Sequence, residues 1–509
     1  MTITQKDNRI EMGDFQTPKS LASDICVYLS QHHDFAPETI IEPTCGLGSL
    51  LFAAHEVYPT VKKVVGYDIN EEYLEYAKSE AEHRQVGLSV ELYISDFFST
   101  NWKRILDDCP QPVMVIGNPP WVNNTTLSTL NSSNLPVKNN AAGLSGLDAI
   151  TGKSNFDISE WMLTRLLELL NGRKAVLSML CKTAIARKVL VTAWRAEVCI
   201  ESASIHLIDA RKAFDVAVDA CLLTVVLNPL ESNTKCNVFE NLQATSPKQV
   251  IAYADGHLIA NIELFDKHRD LLGEERMRWR SGIKHDCAKV MELHRIDGTF
   301  VNGLQEEVDI EEEMLYPLVK SSDVANGRLI SPTRWLLVTQ HRVGEQTAAL
   351  SVTAPRTWDY LCKYKDLFVK RKSSIYMNQP PFAIFGVGEY SFARWKVAIS
   401  GLYKELTFRV VSPYFDKPVM LDDTCAFLSF TNELDARFVC DKLNSVAVHE
   451  FFQALVFMDA KRPITIEMLR KFDLLALARA EGYENTMLAL LRENSTASST
   501  RQQSLLLFT

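Results

Sequence analysis

No apolar run in this 509-residue chain approaches the ~20 residues that a bilayer-spanning helix needs, so a helical membrane protein is not expected. Met1 to Asp14 lacks the apolar core of a secretory leader, and a cytoplasmic location without membrane contact follows as the expectation. The eleven cysteines contain no CxxC pair and no finger-like spacing. That pattern argues for reduced thiols rather than a disulfide or zinc framework, and no metal site is expected. Positive charge is not in excess either. The net charge is −9, with 20 Lys+Arg against 27 Asp+Glu up to residue 230, a balance of −7, and only −2 beyond it. The chain as a whole does not attract a polyanion, so any nucleic-acid contact must come from a local basic face, for which the near-neutral second half has the better composition. Internal repeats and low-complexity blocks are also lacking.

What is present fits an ordinary globular protein of several domains, with 47% hydrophobic and 23% charged residues. The most informative stretch is Val113-Met114-Val115-Ile116-Gly117-Asn118-Pro119-Pro120-Trp121. It reads as a buried strand that stops at a polar amide, two prolines and an indole. Successive prolines stiffen the backbone and prevent a continuing ladder. An amide oxygen, a prolyl carbonyl and an aromatic plane at a strand's end can together hold a planar ring by stacking while accepting hydrogen bonds from its exocyclic amine.

Three further strand ends precede it. Thr39-Ile40-Ile41-Glu42-Pro43 runs through Thr44-Cys45 into a Gly46-x-Gly48 turn and then a helix. Such a turn lets a ligand approach the backbone, and the helix N-terminus favours an anionic group. A third glycine is absent, so this is not the dinucleotide fingerprint. The strand Val61 to Ile69 ends at Asp68, placed to bind ribose hydroxyls, and Val90 to Ile94 ends at Asp96-Phe97, placed to receive and flank an adenine. Upstream, Phe15-Gln16-Thr17-Pro18 opens a helix with Thr17 as N-cap. Downstream, the polar segment from Val122 to Asn155 reads as a flap near the site. A helix (Phe156 to Leu170), the strand Ala175 to Leu180, a helix reaching about Cys199, and strands Ser204 to Ile208 and Cys221 to Leu227 complete an α/β sheet with an antiparallel edge. Phe214, between the last two strands, is placed to stack on a substrate ring or to tuck into the core. The turn-rich Asn228 to Pro247 reads as a boundary. Beyond it, Arg276-Met277-Arg278-Trp279-Arg280-Ser281-Gly282-Ile283-Lys284-His285-Asp286 groups cations around a tryptophan and suits phosphates and guanine edges. His285 and Asp286 have no third ligand nearby and are assigned to structure or phosphate contact.

The order Phe-x-Thr-Pro, Glu-Pro-x-Cys-Gly-x-Gly, Gly-Tyr-Asp, Asp-Phe, Asn-Pro-Pro-Trp resembles the gamma-class DNA adenine N6-methyltransferases of bacterial restriction-modification systems. The resemblance implies a Rossmann-like class I methyltransferase sheet over residues 1–240 and an α+β target recognition domain over 241–509. It implies S-adenosylmethionine as cofactor, with Thr17, Glu42, Pro43, Cys45, Gly46 and Gly48 around its methionine part, Asp68 on the ribose, and Asp96 with Phe97 at its adenine. It places Asn118, Pro119, Pro120, Trp121 and Phe214 at the target base. Double-stranded DNA is the implied partner, and a cognate restriction endonuclease a further one. The tetrapeptide of the family ordinarily ends in Tyr or Phe, so Trp121 is a departure that keeps the π-face. Ala217 stands where some relatives have a lysine. Segments 278–286, 385–390, 396–404 and 459–463 resemble the family's specificity region. There Arg278, Arg280, Ser281, Lys284, His285, Lys461 and Arg462 are the expected DNA contacts. No stretch is left over for a nuclease domain. RNA or glutamine N5 methylation, or a non-catalytic DNA-binding subunit, are the rival readings.

Overall fold

The computed structural model describes residues 15–84, 90–122, 157–458 and 462–493. The expected flap falls almost wholly outside them, as does Lys461. The chain forms two compact units, residues 1–262 and 263–509. Among the described residues no helix is long and apolar enough to cross a membrane.

The first unit is built on a ten-stranded sheet, with β1 Thr39–Glu42, β2 Lys63–Asp68, β3 Val90–Ile94, β4 Val113–Gly117, β5 Ala175–Lys182, β6 Ile200–Ile208, β7 Ala220–Leu227, β8 Lys235–Phe239, β9 Gln249–Ala254 and β10 His257–Ile259. Their spatial order is β10-β9-β8-β6-β7-β5-β4-β1-β2-β3. Strands β1 to β5 run parallel, and β7 is inserted antiparallel between β5 and β6. The apolar runs of β1 and β4 are buried throughout, as expected for strands covered by helices on both faces. The chain order reverses between β1 and β4. The connections leaving these two strands therefore part to opposite faces and open a crevice at their carboxyl ends. That puts the glycine turn after β1 beside the Asn118 segment after β4.

Three expectations are corrected. The sheet does not close at an antiparallel edge after β7, and the polar stretch beyond Asn228 is not the boundary. Strands β8 to β10 extend the same sheet, because Cys236 and Val238 point inward in alternation with Lys235 and Asn237. The division between units accordingly lies after Ile262 rather than at 240. Thr17 does not cap its helix: Pro18 precedes the first helical residue, Lys19, and the buried Thr17 hydroxyl is instead 3.4 Å from the Asn118 amide nitrogen.

His206 of β6 is fully buried, 4.3 Å from Tyr28 and stacked 4.4 Å from Phe239, with neither ring nitrogen partnered among the described residues. Burial, and the neighbouring His33 and His32, lower its pKa from 6.5 to about 4. The folded state thus holds the ring neutral while the unfolded chain protonates it near 6.5. Its contribution to stability is complete above pH 6.5 and is lost as pH falls toward 4. His206→Leu should flatten that decline in urea-unfolding midpoints. An unchanged slope would mean that another group controls the acid limb.

The second unit holds a six-stranded and a four-stranded sheet. The first has the order β14-β13-β12-β16-β15-β19, from β12 Glu292–Ile296, β13 Thr299–Asn302, β14 Glu307–Val308, β15 Leu315–Val319, β16 Arg334–Leu337 and β19 Met420–Leu421. The second has the order β11-β20-β17-β18, from β11 Arg280–Ser281, β17 Trp395–Ser400, β18 Arg409–Val411 and β20 Cys425–Phe430. Helices Glu433–Leu443 and Val446–Leu455 follow, giving a mixed α+β unit.

Candidate active site

At the end of β1 the backbone turns through Gly46 (φ +49°) and Gly48 (φ +81°) into the helix Ser49–Val57. A side chain at Gly46 would lie 2.4 Å from the amide oxygen of Gln16, which is packed on the turn and accepts from the Leu47 N–H at 3.0 Å. Gln16 was not among the expected site residues, since nothing in Phe-x-Thr-Pro marks the middle position. Glu42 is buried, and its carboxylate accepts from the Leu51 N–H at 3.0 Å. Burial, opposed by that hydrogen bond and reinforced by Asp68, pushes its pKa well up. Pro43 and Cys45 are buried beside it, and the Cys45 thiol is raised by burial and by the charges of Glu42 and Asp68.

Asp68, at the tip of β2, ties the crevice together. One carboxylate oxygen accepts from Gly46 N and the other from Asn70 N, each at 2.8 Å. Asp96 at the end of β3 accepts from the Phe98 N–H at 3.0 Å. Phe97 is buried 4.9 Å from Trp102 and 5.9 Å from Trp161. Its ring is committed to the wall of the crevice.

Asn118 follows β4 directly. Its amide nitrogen donates to the Phe15 carbonyl at 2.6 Å. That contact fixes which way the amide points, because the flipped amide would set two carbonyl oxygens against each other. The Asn118 Oδ1 that remains is buried and has no hydrogen-bond partner among the described residues. Two prolines on, Trp121 is 5% exposed. Its indole lies 5.4 Å from the Phe15 ring and 5.2 Å from Phe214, nearly edge-on to the latter at 74°. Phe15 and Phe214 are 6.2 Å apart. Trp121 and Phe214 meet edge-to-face, with Phe15 tilted against both, rather than as two parallel plates, and such inclined contacts are those that ring quadrupoles favour.

Within the second unit, residues 278–286 are drawn to residues 385–390. Lys284 and Phe385 exchange backbone hydrogen bonds at 2.9 Å, and Gly282 crosses Gly386 so closely that a side chain on the latter would lie 2.2 Å from the Gly282 carbonyl. Arg278 is exposed; Arg280 stacks its guanidinium 4.4 Å from the centre of the Tyr390 ring. The Ser281 hydroxyl donates to the Asp423 carbonyl at 3.3 Å, Arg462 lies 3.9 Å from the Asp423 carboxylate, and Lys284 lies 3.6 Å from Asp286. His285 does not join this face. It is buried, with one ring nitrogen accepting from Cys287 N at 3.2 Å and the other 3.3 Å from Glu292, so a phosphate role is corrected to a structural one. Trp279 is also buried.

A methyltransferase domain family matches residues 35–115. The Type II methyltransferase M.NspV of Nostoc sp. (strain ATCC 29411 / PCC 7524) is 44% identical over 475 residues, which are 92% of this chain and 98% of that protein. The Type II methyltransferase M.CvrRI of Paramecium bursaria Chlorella virus XZ-6E is 28% identical over 121 residues, 24% of this chain and 27% of that protein. Among solved structures, the Type IIL restriction-modification enzyme MmeI in complex with DNA aligns with a TM-score of 0.48 at 12% identity, over 90% of this chain and 64% of that one. The chain thus spans slightly less than two thirds of that enzyme's length.

Proposed function

The chain belongs to the Type II methyltransferases of restriction-modification systems, and from that premise we propose that it transfers a methyl group from S-adenosylmethionine to adenine N6 in duplex DNA. The observation that carries this reading is the buried Oδ1 of Asn118, without a hydrogen-bond partner among the described residues and oriented by the Phe15 carbonyl, where the Phe15 ring packs on Trp121 and Phe214. A buried acceptor left without a donor costs about 1–3 kcal/mol, a penalty that a ligand's donor relieves. An exocyclic amine on a flat heterocycle supplies both the donor and the stacking surface.

The residues at the carboxyl ends of β1 to β3 fit the methyl donor. The glycine turn gives backbone access, and Asp68 stands at the tip of the neighbouring strand with its carboxylate against that turn, the place for ribose hydroxyls. Asp96 offers an acceptor beside Phe97. When bound, that cofactor supplies an electrophilic methyl on a sulfonium. The protein's part is positional. A base must be rotated out of the duplex, at a cost of a few kcal/mol, and must part the Trp121–Phe214–Phe15 contacts as it enters. Stacking, typically ~1–3 kcal/mol per base, offsets that cost. Asn118 Oδ1 and the Pro119 carbonyl would accept hydrogen bonds from the two amine N–H groups and turn the nitrogen lone pair out of the ring toward the methyl. One of those protons leaves to water once the N–C bond has formed and the donor's S–C bond has broken. The amine gains positive charge as it reacts, so these acceptors stabilise the transition state more than the ground state. The basic face around Arg278, Arg280, Ser281, Lys284 and Arg462 is assigned to the DNA backbone and target bases, with a cognate endonuclease as the partner that shares the site.

The test is incubation with isotopically labelled donor and, separately, unmethylated duplex DNA, RNA or protein, followed by digestion and mass spectrometry. N6-methyladenine from the DNA arm is expected. Label in cytosine, RNA or protein alone would overturn the substrate assignment. Asp68→Ala should weaken donor binding about 10- to 100-fold by calorimetry, because ribose loses an acceptor and Gly46 and Asn70 lose theirs. Unchanged affinity would remove Asp68 from the cofactor site.

A further inference from the structure

Lys182 closes β5 with a charge after seven buried residues. Its ammonium donates to the Trp121 carbonyl at 3.0 Å and to the Asp157 carboxylate at 2.8 Å. Asp157 is 6% exposed and immobile for its own reasons. Its other oxygen accepts from the Ser159 N–H at 3.1 Å and the Ser159 hydroxyl at 2.5 Å, capping the helix Ile158–Leu170. An acid there is also favoured by the helix dipole. One residue further on from Trp121 and from Asp157, the Ile158 N–H donates to the Val122 carbonyl at 3.0 Å.

We propose that Lys182, held by Asp157, is a positioning residue for the methyl-transfer step, fixing the far end of the Asn118–Trp121 peptide so that the Pro119 carbonyl and the indole keep their places relative to Asn118 Oδ1. The proposal rests on the adenine reading above. The near end of the peptide is set by β4 and by the Asn118–Phe15 hydrogen bond. Two prolines make the middle stiff, so fixing one carbonyl at the far end fixes the whole bend. The indole has to change its contacts when a base enters. With its backbone carbonyl held by a cation that is anchored on two separate elements, the side chain can move while the main chain does not. Displacement of a reacting group by about 1 Å is enough to cost about 10²-fold in rate.

The closing experiment uses Lys182→Met, Lys182→Arg, Asp157→Asn and the double variant Lys182→Met with Asp157→Asn. Rates are taken in single-turnover assays on unmethylated genomic DNA, alongside donor affinity by calorimetry and thermal midpoints. Lys182→Met should slow transfer about 10²-fold with donor affinity unchanged. It should also lower the midpoint, because Asp157 is left buried without its counter-charge. The double variant removes that lone charge while Asn keeps the helix cap, so the midpoint should recover and the rate should not. Lys182→Arg retains a donor for each partner and should keep the rate within about tenfold. A wild-type rate in the double variant, or a rate that recovers along with the midpoint, overturns the positioning role and leaves the adenine reading standing. Failure of the unmodified protein to methylate adenine in any DNA overturns both.

Discussion

Asn118→Ala is expected to slow methyl transfer by about 10³-fold while donor affinity stays within a few-fold of the unmodified protein. The figure follows from the loss of one preorganised hydrogen-bonding group at a site of developing charge, which ordinarily costs about 10²–10³ in rate. A second loss is added here, because the same side chain carries the 2.6 Å hydrogen bond to the Phe15 carbonyl, and Phe15 packs on Trp121. Removing Asn118 therefore loosens the aromatic trio as well as deleting the acceptor. Asn118→Asp separates the two effects. It keeps an acceptor for the target amine but sets a carboxylate oxygen against the Phe15 carbonyl, so it should also be slow, and slower at higher pH as the carboxyl ionises. Donor binding is spared in both variants, since the glycine turn and Asp68 are on other strands. Single-turnover rates and calorimetry check the pair. An Asn118→Ala rate within tenfold of the unmodified protein would end the role assigned to this amide.

The strand ends picked out in the sequence share one property: each is a short strand that ends at, or runs straight into, a polar residue. Asp68 and Asn118 follow apolar runs and Asp96 follows the mixed strand β3, and in a parallel sheet such endings converge on one edge without further information. Burial of β1 and β4 on both faces follows from the same runs. Contacts made across the fold were not legible. Lys182 is joined to Trp121 and Asp157 over 61 and 25 residues of chain, and neither spacing is periodic. A lysine at the end of an otherwise apolar strand was the one local signal. His285 looked like part of a basic run because Lys284 and Asp286 flank it, yet strand-like alternation turns it inward toward Glu292. The edge strands β8 to β10 were obscured by their own turns. Lys235 and Asn237 face outward and make the segment look polar, while the Cys236–Val238 alternation that identifies β8 is only one repeat long. The glycine pair Gly282 and Gly386 belongs to the same class of information, since a Ser-Gly dipeptide read in isolation signals a turn and says nothing about a second backbone passing over it.

Gly282→Ala should therefore be among the most damaging single-methyl additions available in the second unit. A Cβ at this position would lie 2.1 Å from the Asp422 carbonyl oxygen and 2.3 Å from that of Leu421. Both are main-chain atoms, and the surrounding backbone is hydrogen-bonded on each side: Gly282 N donates to Cys425 O at 3.1 Å and Ile283 N to Leu421 O at 2.7 Å. No rotamer change relieves such a contact, so the segment has to move away from β19 and β20. Gly386, whose own φ is +70°, loses the register of its crossing with the Gly282 carbonyl as a result. Overpacking a core ordinarily costs about 1–3 kcal/mol and more where backbone must shift, so the second unit should lose about 3 kcal/mol or more. The movement carries Arg280 and Ser281 with it, because both lie on β11 and Arg280 is stacked on Tyr390 of the partner segment. DNA affinity, measured by gel shift at fixed salt, should fall at least tenfold, while donor affinity measured by calorimetry should be unchanged. Lys289→Ala, a change at an exposed helical position a few residues along the same stretch, is the control for a general surface effect and should leave stability within about 0.5 kcal/mol. A Gly282→Ala protein with an unaltered urea midpoint and full DNA affinity would show that the crossing does not hold the basic face in place.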